Sequence, residues 1–423
     1  MFTFSQIKSL IKDVIFTLLF MSLFLSCERN ESDLFEPVEY EKFSGVLFSK
    51  TLRLEDVMDE VFRQFGIQSI ESILRKQGIP ENEIKFITVQ IKLYIKLSSE
   101  YDVHGITYHT VNPKGEKVVA SGVLYYPKSH NPKGVIEVVP WFKSKNDCGT
   151  VNYYMPEVIP GINGYVYIVP DQIGYGSTAD LPIGYLQYEN VAVVSADMRQ
   201  AVEEFVYNHY HRKLDKKSIL FGYSLGAGGA LTLARYYQQY AERGVKVKNV
   251  FIGGGAYDPA LSIESQFSSY YSEHAACPNI ICSLNYYEDL QLDFNRIFKG
   301  ELLKYYEEWC YGQYSIDKLT QLLGTDLREY FTDNFLKKED SPEYQHLLQS
   351  CRQKRIPNDW TPAFKIHLFH GKDDTLVPII CSDRLYDNLR SRGADVTYKQ
   401  YEANHMGSAQ LMIIDFWKFL NNR

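Results

Sequence analysis

The stretch KSILFGYSLGAGGALTLARYY, residues 217–237, constrains the fold of this chain more than any other. Its apolar ILF run is typical of a short buried strand, and the spacing of leucines and alanines from Leu225 onward is typical of a helix. The backbone must therefore reverse within about one turn at Ser224. A side chain two residues away would collide with the strand or the helix, and the residues there are Gly222 and Gly226. The pattern predicts a serine on a strained turn between a strand and a helix.

Short apolar runs alternate with helical patterns along most of the chain. Runs typical of buried strands occur at 134–140, 165–170, 218–221, 249–255 and 364–371. Helical patterns lie between them, and the segment 105–127 indicates a hairpin around the turn NPKG. This alternation predicts an α/β fold, with a mostly parallel twisted sheet flanked by helices and a meander at its start. The ligand site of such a sheet lies at the carboxyl ends of its strands, where Ser224 is expected.

Two later segments offer partners for this serine. A serine hydroxyl is a weak nucleophile that needs a base to take its proton and a carboxylate to orient the base. Asp373 and Asp374 follow the strand-like run that ends at Gly371, and His405 precedes the last helical pattern. The other nine of the ten histidines are alternative bases, but none of them lies in a loop just before the last helix. Adjacent side chains on an extended loop point to opposite sides, so only one of the two aspartates is expected to reach His405.

Three motifs in this order resemble those of the α/β-hydrolase superfamily. They are GYSLG at 222–226, HGKDDTLVP at 370–378 and NHMG at 404–407. The resemblance covers roughly residues 101–423. Within the superfamily it is nearest to the secreted lipases and esterases with a large helical cap, whose opening hairpin and Pro-Asp…Gly-x-Gly turn are similar to ITYHTVNPKGEKVVASGVLYYP and GYVYIVPDQIGYGST.

The resemblance implies a catalytic apparatus residue by residue. The nucleophile, the general base and acid, and the orienting carboxylate would be Ser224, His405 and Asp374. The backbone N–H of Leu225 would be one donor of the oxyanion hole. The loop VVPWFKSKND, which would supply the second donor, has no glycine, so Trp141 or Phe142 is expected to donate through its backbone. Such an enzyme works without a metal or a cofactor.

One long segment interrupts the alternation of strands and helices. Residues 258–358 carry helical patterns rich in aromatic residues and have no clear strand. We expect a helical cap inserted into a core formed by 101–257 and 359–423. Two interpretations remain open, a lid over the strand ends that carries specificity and a structural elaboration that fills its own core.

The N-terminus has the anatomy of an export signal. Residues 1–27 place two lysines before an apolar stretch that ends at FLSC, which resembles a bacterial lipoprotein box with Cys27 as the acylated residue. An ordinary cleaved signal or a signal anchor is the alternative. Residues 28–54 are then expected to form a tether, and the protein to be anchored by its lipid in the bacterial outer membrane.

Residues 55–100 form an N-terminal extension outside the resemblance. A helical pattern spans 55–77, whereas apolar and mostly polar residues alternate over 87–97 and predict a half-buried strand. Six cysteines follow Cys27, and in an oxidising compartment they would permit up to three disulfides, whose pairing the sequence does not determine. Their spacing lacks the pairs typical of a zinc site.

Composition narrows the possible functions. The net charge of −7 and the lack of a basic cluster argue against a nucleic-acid partner. The sequence predicts a serine hydrolase of carboxylic esters that acts on a small-molecule, lipid or carbohydrate ester. The alternatives are a peptidase or amidase, an acyltransferase, and a surface-binding lipoprotein that has lost catalysis.

Overall fold

A computed structural model describes residues 38–421, except 65, 67, 77, 99, 129–130, 163 and 358–359. The signal peptide expected over 1–27, including Cys27, therefore lies outside the described residues. The first ten residues of the expected tether, 28–37, lie outside them too.

Nine strands form one sheet in the order β1-β2-β3-β5-β4-β6-β7-β8-β9. The first strands pair antiparallel, β1 with β2, β2 with β3 and β3 with β5, and all further pairs are parallel. The strands are Phe43–Leu52, Tyr101–Val111, Lys117–Pro127, Gly134–Val139, Tyr165–Pro170, Lys217–Tyr223, Lys246–Gly253, Lys365–Gly371 and Val396–Tyr401. The predicted α/β fold, with a mostly parallel sheet and a meander at its start, is confirmed.

Helices cover both faces of this sheet because the strands are apolar on both sides. Leu220 of β6 packs with the helix Leu225–Gln239 in one core cluster, whereas the adjacent Phe221 packs with the helix His405–Asn421 in another. The helices outside the β7–β8 connection are α1 Leu54–Gln64, α2 Ile70–Lys76, α3 Glu81–Leu97, α4 Tyr188–Tyr210, α5 Leu225–Gln239, α13 Ile380–Ser391 and α14 His405–Asn421.

The connection between β7 and β8 is a helical insertion. Its helices are α6 Pro259–Ser269, α7 Cys277–Glu288, α8 Phe294–Ile297, α9 Gly300–Trp309, α10 Ile316–Leu323, α11 Asp333–Leu336 and α12 Pro342–Gln353. Part of its aromatic content packs internally, since the ring of Phe267 lies within 5.5 Å of those of Phe331, Phe335 and Tyr344. These rings belong to the core cluster that also contains Leu220 and Ile252, so the insertion packs on one face of the sheet.

The strand predicted over 87–97 is wrong, because α3 covers these residues. Ile84, Ile87, Ile91 and Tyr94, which recur every three or four positions, face the protein. Apolar residues at every second position include residues four apart, which lie on one face of a helix. The same sequence pattern is therefore compatible with a strand and with a helix. The helical pattern over 55–77 is split into α1 and α2, with Gly66 at φ 60° between them.

The expected tether is also wrong for residues 43–52, which form the edge strand β1. This strand pairs with β2 from Phe43 to Leu52. Two of its aromatic rings pack on the fold, Phe43 against Phe205 at 5.3 Å and Phe48 against Tyr153 at 5.3 Å. The pairing satisfies the free backbone edge of β2, which a flexible tether would leave open.

All six cysteines of the described chain are buried free thiols. None of the disulfides that the sequence would permit is formed among them. Across the part of the chain that the structure describes, no helix is both long enough and apolar enough to cross a membrane.

Candidate active site

Ser224 lies on the turn between β6 and α5, in a conformation that only this local sequence permits. Its φ is 54°, in the region that L-residues rarely adopt. A Cβ on Gly222 would lie 2.1 Å from the carbonyl oxygen of Gly226, and one on Gly226 would lie 2.1 Å from that of Val139. The two glycines are therefore required by the close approach of the strand, the helix and β4.

The structure brings Ser224, His405 and Asp374 together in one chain of hydrogen bonds. Ser224 Oγ lies 2.9 Å from His405 Nε2, and His405 Nδ1 lies 2.6 Å from Asp374 Oδ2. An ionised carboxylate can only accept, so the hydrogen on the imidazole belongs at Nδ1, and Nε2 is left to accept from the serine hydroxyl. His405 is the first residue of α14 rather than part of the preceding loop.

Asp374 is buried and held in place from several sides. Its Oδ1 accepts from the backbone N–H groups of Leu376 at 3.1 Å and Val377 at 2.8 Å. Burial alone would raise the pKa of Asp374, but the imidazoles of His405 and His370 hold it well below the usual range of a carboxyl group. The neighbouring Asp373 is exposed, and its backbone N–H donates to the carbonyl of Ala403 at 3.2 Å.

The sequence analysis gave no role to two further residues that contact these groups. The His370 ring is fully buried, with Nε2 at 2.8 Å from the carbonyl of Val377 and 3.3 Å from Asp374 Oδ2. The Tyr223 hydroxyl donates to the carbonyl of His405 at 2.6 Å and so fixes the start of α14. Both residues belong to the quoted motifs, GYSLG and HGKDDTLVP, but only the fold reveals what they contact.

The residues expected to form the oxyanion hole lie near the serine. Leu225 is the first residue of α5, where N–H groups have no acceptor within the helix. Trp141 and Phe142 lie in the wall of the cavity that contains Ser224. They belong to the loop after β4. The Tyr175 hydroxyl donates to the backbone carbonyl of Lys143 at 3.0 Å and so holds this loop in place.

A buried ion pair also holds this loop. Lys143 Nζ lies 3.2 Å from Oε1 of Glu157, a residue with no exposed surface, and 5.4 Å from the centre of the Trp141 ring. A buried carboxylate is costly without a partner, so the lysine and its loop are kept near Glu157. The ion pair thus helps to fix the loop in which the sequence lacks a glycine.

The segment PDQIGYG has a structural role near the site. Asp171 is buried, accepts from Ser121 Oγ at 2.5 Å and from the backbone N–H of Thr150 at 3.1 Å, and burial raises its pKa. These bonds tie β3 to the loops that follow β4 and β5. The resemblance to the family's Pro-Asp…Gly-x-Gly turn predicted a turn here.

Ser224 and His405 open into a cavity of about 390 Å³. The helical insertion supplies a wall formed by His274, Ser315, Ile316 and Asp317. The N-terminal extension supplies Gln64, and the loop after β4 supplies Trp141 and Phe142. The cavity volume is sufficient for a small organic ligand.

Comparison with known proteins agrees with this architecture. The chain is similar to the rice cell wall degrading esterase LipA from Xanthomonas oryzae, with 17% identity, a TM-score of 0.67, and 89% of this chain and 98% of that chain covered. It is also similar to Candida antarctica lipase A in its closed state, with 12% identity, a TM-score of 0.57, and 90% and 82% covered. These likenesses identify the α/β-hydrolase fold.

Curated proteins gave no match to the chain. The model of a protein family described as "Secretory lipase" matches residues 144–413, well over half of the chain. The matched range contains Ser224, Asp374, His405 and the whole helical insertion. The chain therefore belongs to the secretory lipase family and is a hydrolase of the lipase and esterase type.

Proposed function

We propose that this protein hydrolyses carboxylic esters through an acyl-enzyme, with Ser224 as the nucleophile. The observation that carries the proposal is the unbroken hydrogen-bond chain from Ser224 through His405 to Asp374, of which Ser224 and His405 line a cavity of about 390 Å³. Family membership and two structural neighbours named as an esterase and a lipase support the ester as substrate. Neither a metal nor a cofactor enters the proposed mechanism.

In each half of the proposed mechanism His405 takes a proton from the nucleophile and gives it to the leaving group. Ser224 Oγ attacks the ester carbonyl while its proton passes to Nε2, and the resulting oxyanion accepts hydrogen bonds from the backbone N–H of Leu225 and from that of Trp141 or Phe142. Collapse of this intermediate breaks the bond to the alcohol, which takes the proton from Nε2. Water then attacks the acyl-enzyme with the same transfers and releases the acid. Asp374 stabilises the imidazolium in both halves.

The proposal is tested by ester hydrolysis and by covalent labelling with a fluorophosphonate probe, in the wild type and in Ser224→Ala. Labelling of Ser224 together with release of acid from simple esters supports it. Labelling with turnover of amides alone would indicate the peptidase alternative. Acyl transfer to an added alcohol in preference to water would indicate an acyltransferase, and no labelling would indicate a binding protein.

We also propose that the helical insertion, expected over 258–358, acts as a cap that selects substrates. Ile316 on its wall faces the cavity, whereas Leu322 of the same helix is 44% exposed and lies outside it. Ile316→Trp should lower kcat/KM for bulky esters by about tenfold, with little change for p-nitrophenyl acetate, because it narrows the cavity away from the serine. Leu322→Trp is the matched control. Equal losses for both esters would make the insertion merely architectural.

For location, we propose export and attachment to the outer membrane through an acylated Cys27. The secretory family supports export, and FLSC at residues 24–27 supports the lipid anchor. Cys27→Ser should block lipid attachment and move the protein from the membrane fraction to the soluble fraction, whereas Ser32→Ala should leave it membrane-bound. Mass spectrometry that finds an unmodified mature N-terminus at another residue would contradict the anchor.

A further inference from the structure

A second cavity, about 130 Å³ in volume, lies between the N-terminal extension and α14. We call it the lateral groove. Every residue that lines it is apolar or aromatic except Gln410. Its walls come from α1, α2, α3, the turn Pro156–Gly161 and α14, represented by Phe62, Leu74, Ile91, Pro156 and Ile413, with Trp417 at its end. A cavity with this lining favours a hydrocarbon ligand over water.

One face of α14 leads from the active site into the lateral groove. His405, Met406 and Ala409 line the catalytic cavity, and Gln410, Ile413 and Trp417 line the groove. Positions spaced by three and four share one side of a helix, so these residues form a continuous stripe. At 1.5 Å per residue, the stripe extends about 18 Å from His405 to Trp417.

Two further elements contribute to both cavities. Pro156 lines each of them, and α1 supplies Gln64 to the catalytic cavity and Phe62 to the groove. The cavities are therefore neighbours that share Pro156 in their walls. Met406, 41% exposed, lies on the α14 side of the catalytic cavity.

Two smaller cavities adjoin Leu225 on the other side of the serine. One of them also contacts Ser224 and extends toward Tyr185 and Ile280, and the other extends toward Tyr175. Each has a volume of about 30 Å³. That is room for little more than one or two water-sized groups, so neither holds a long chain.

We propose that the lateral groove binds the hydrocarbon chain of the substrate, which makes long-chain acyl esters the preferred class. The proposal rests on the function proposed above, because the acyl carbon must be held at Ser224. From there the chain follows the stripe on α14 past Ala409, crosses Pro156 and ends near Trp417. The groove is close in size to an apolar cavity of about 150 Å³ that holds benzene, so it takes about six carbons, and the catalytic cavity holds the rest.

The test compares two tryptophan substitutions on α3. Ile91 lines the groove, whereas Val89 is 66% exposed on the other face of the helix. Ile91→Trp should lower kcat/KM for p-nitrophenyl palmitate at least about tenfold relative to p-nitrophenyl butyrate, and Val89→Trp should leave this ratio unchanged. Ile413→Trp, which fills the groove from the opposite wall, should have the same effect as Ile91→Trp. Butyrate hydrolysis reports whether each variant is folded.

Binding is measured separately in the unmodified groove. In Ser224→Ala, 9,10-dibromostearate should quench part of the tryptophan fluorescence. When Trp417→Phe is added to this variant, the quenched part should disappear. The proposal is overturned if the wild type cleaves butyrate but not palmitate, or if the folded groove variants keep the wild-type ratio of kcat/KM for the two esters. It is also overturned if Trp417→Phe leaves the quenching unchanged. Failure of the proposed function is distinct from these outcomes, since the wild type would then cleave neither ester.

Discussion

Replacing Ser224 with alanine is expected to lower kcat for ester hydrolysis by about 10⁶-fold and to abolish labelling by a fluorophosphonate. The hydroxyl lies 2.9 Å from His405 Nε2, and no acyl-enzyme forms without it. A residual rate about 10³-fold above that of water should remain, because the oxyanion hole and substrate binding are retained. Steady-state kinetics with a short-chain ester and in-gel labelling measure the two effects.

A matched serine substitution controls for damage to the cavity. Ser315 lines the same cavity, and its hydroxyl caps α10 by accepting from the N–H of Lys318 at 3.2 Å. Ser315→Ala should cost about 1 kcal/mol of folding free energy and keep kcat within about tenfold of the wild type. If Ser224→Ala retained near-normal turnover, the nucleophile would be another residue. If both variants lost activity equally, the loss would reflect the cavity rather than the nucleophile.

The part of the fold that the sequence predicted well is the part where local pattern and burial agree. The strands β4 to β8 are short, apolar and buried on both faces, so the hydrophobic pattern alone located them. Glycines on both sides of Ser224 located the turn. The extension before residue 101 was predicted less well. In α3 the outward residues Phe86, Val89 and Leu93 are apolar too, and this hid the helical period.

The candidate site, too, was predicted from the sequence only in part. The motif spacing predicted which three side chains would meet, and the structure brings Ser224, His405 and Asp374 into contact. Their catalytic roles stay predictions. The positions of His370 and Tyr223 could not be read from spacing, because their partners are backbone carbonyls of a loop and of a helix start that only tertiary structure brings near. The lateral groove depends likewise on packing between the two ends of the chain.

Two adjacent aspartates allow the orienting carboxylate to be tested with a close internal control. Asp374→Asn should lower kcat by about 10⁴-fold with little change in KM. An amide facing His405 Nδ1 can donate where the carboxylate only accepts. The imidazole would then carry its hydrogen at Nε2, which can no longer accept the proton of Ser224. Asp373→Asn should stay within about tenfold of the wild type, because its side chain is exposed and the bond to Ala403 uses its backbone.

The low pKa of Asp374 also predicts the pH dependence of the wild type. The pKa of Asp374 is held well below the usual value, so its charge persists at every pH at which an ordinary carboxyl group is ionised. A lowered pKa in the folded state stabilises the protein above the unfolded-state value of about 3.9, and this contribution is lost only as the pH falls through the lower folded value. Protonation of Asp374 should therefore add no step to the pH profile of kcat of the wild type between about pH 5 and pH 9. The reverse ranking of the two variants would assign the role to Asp373, and equal mild losses would mean that neither carboxylate orients His405.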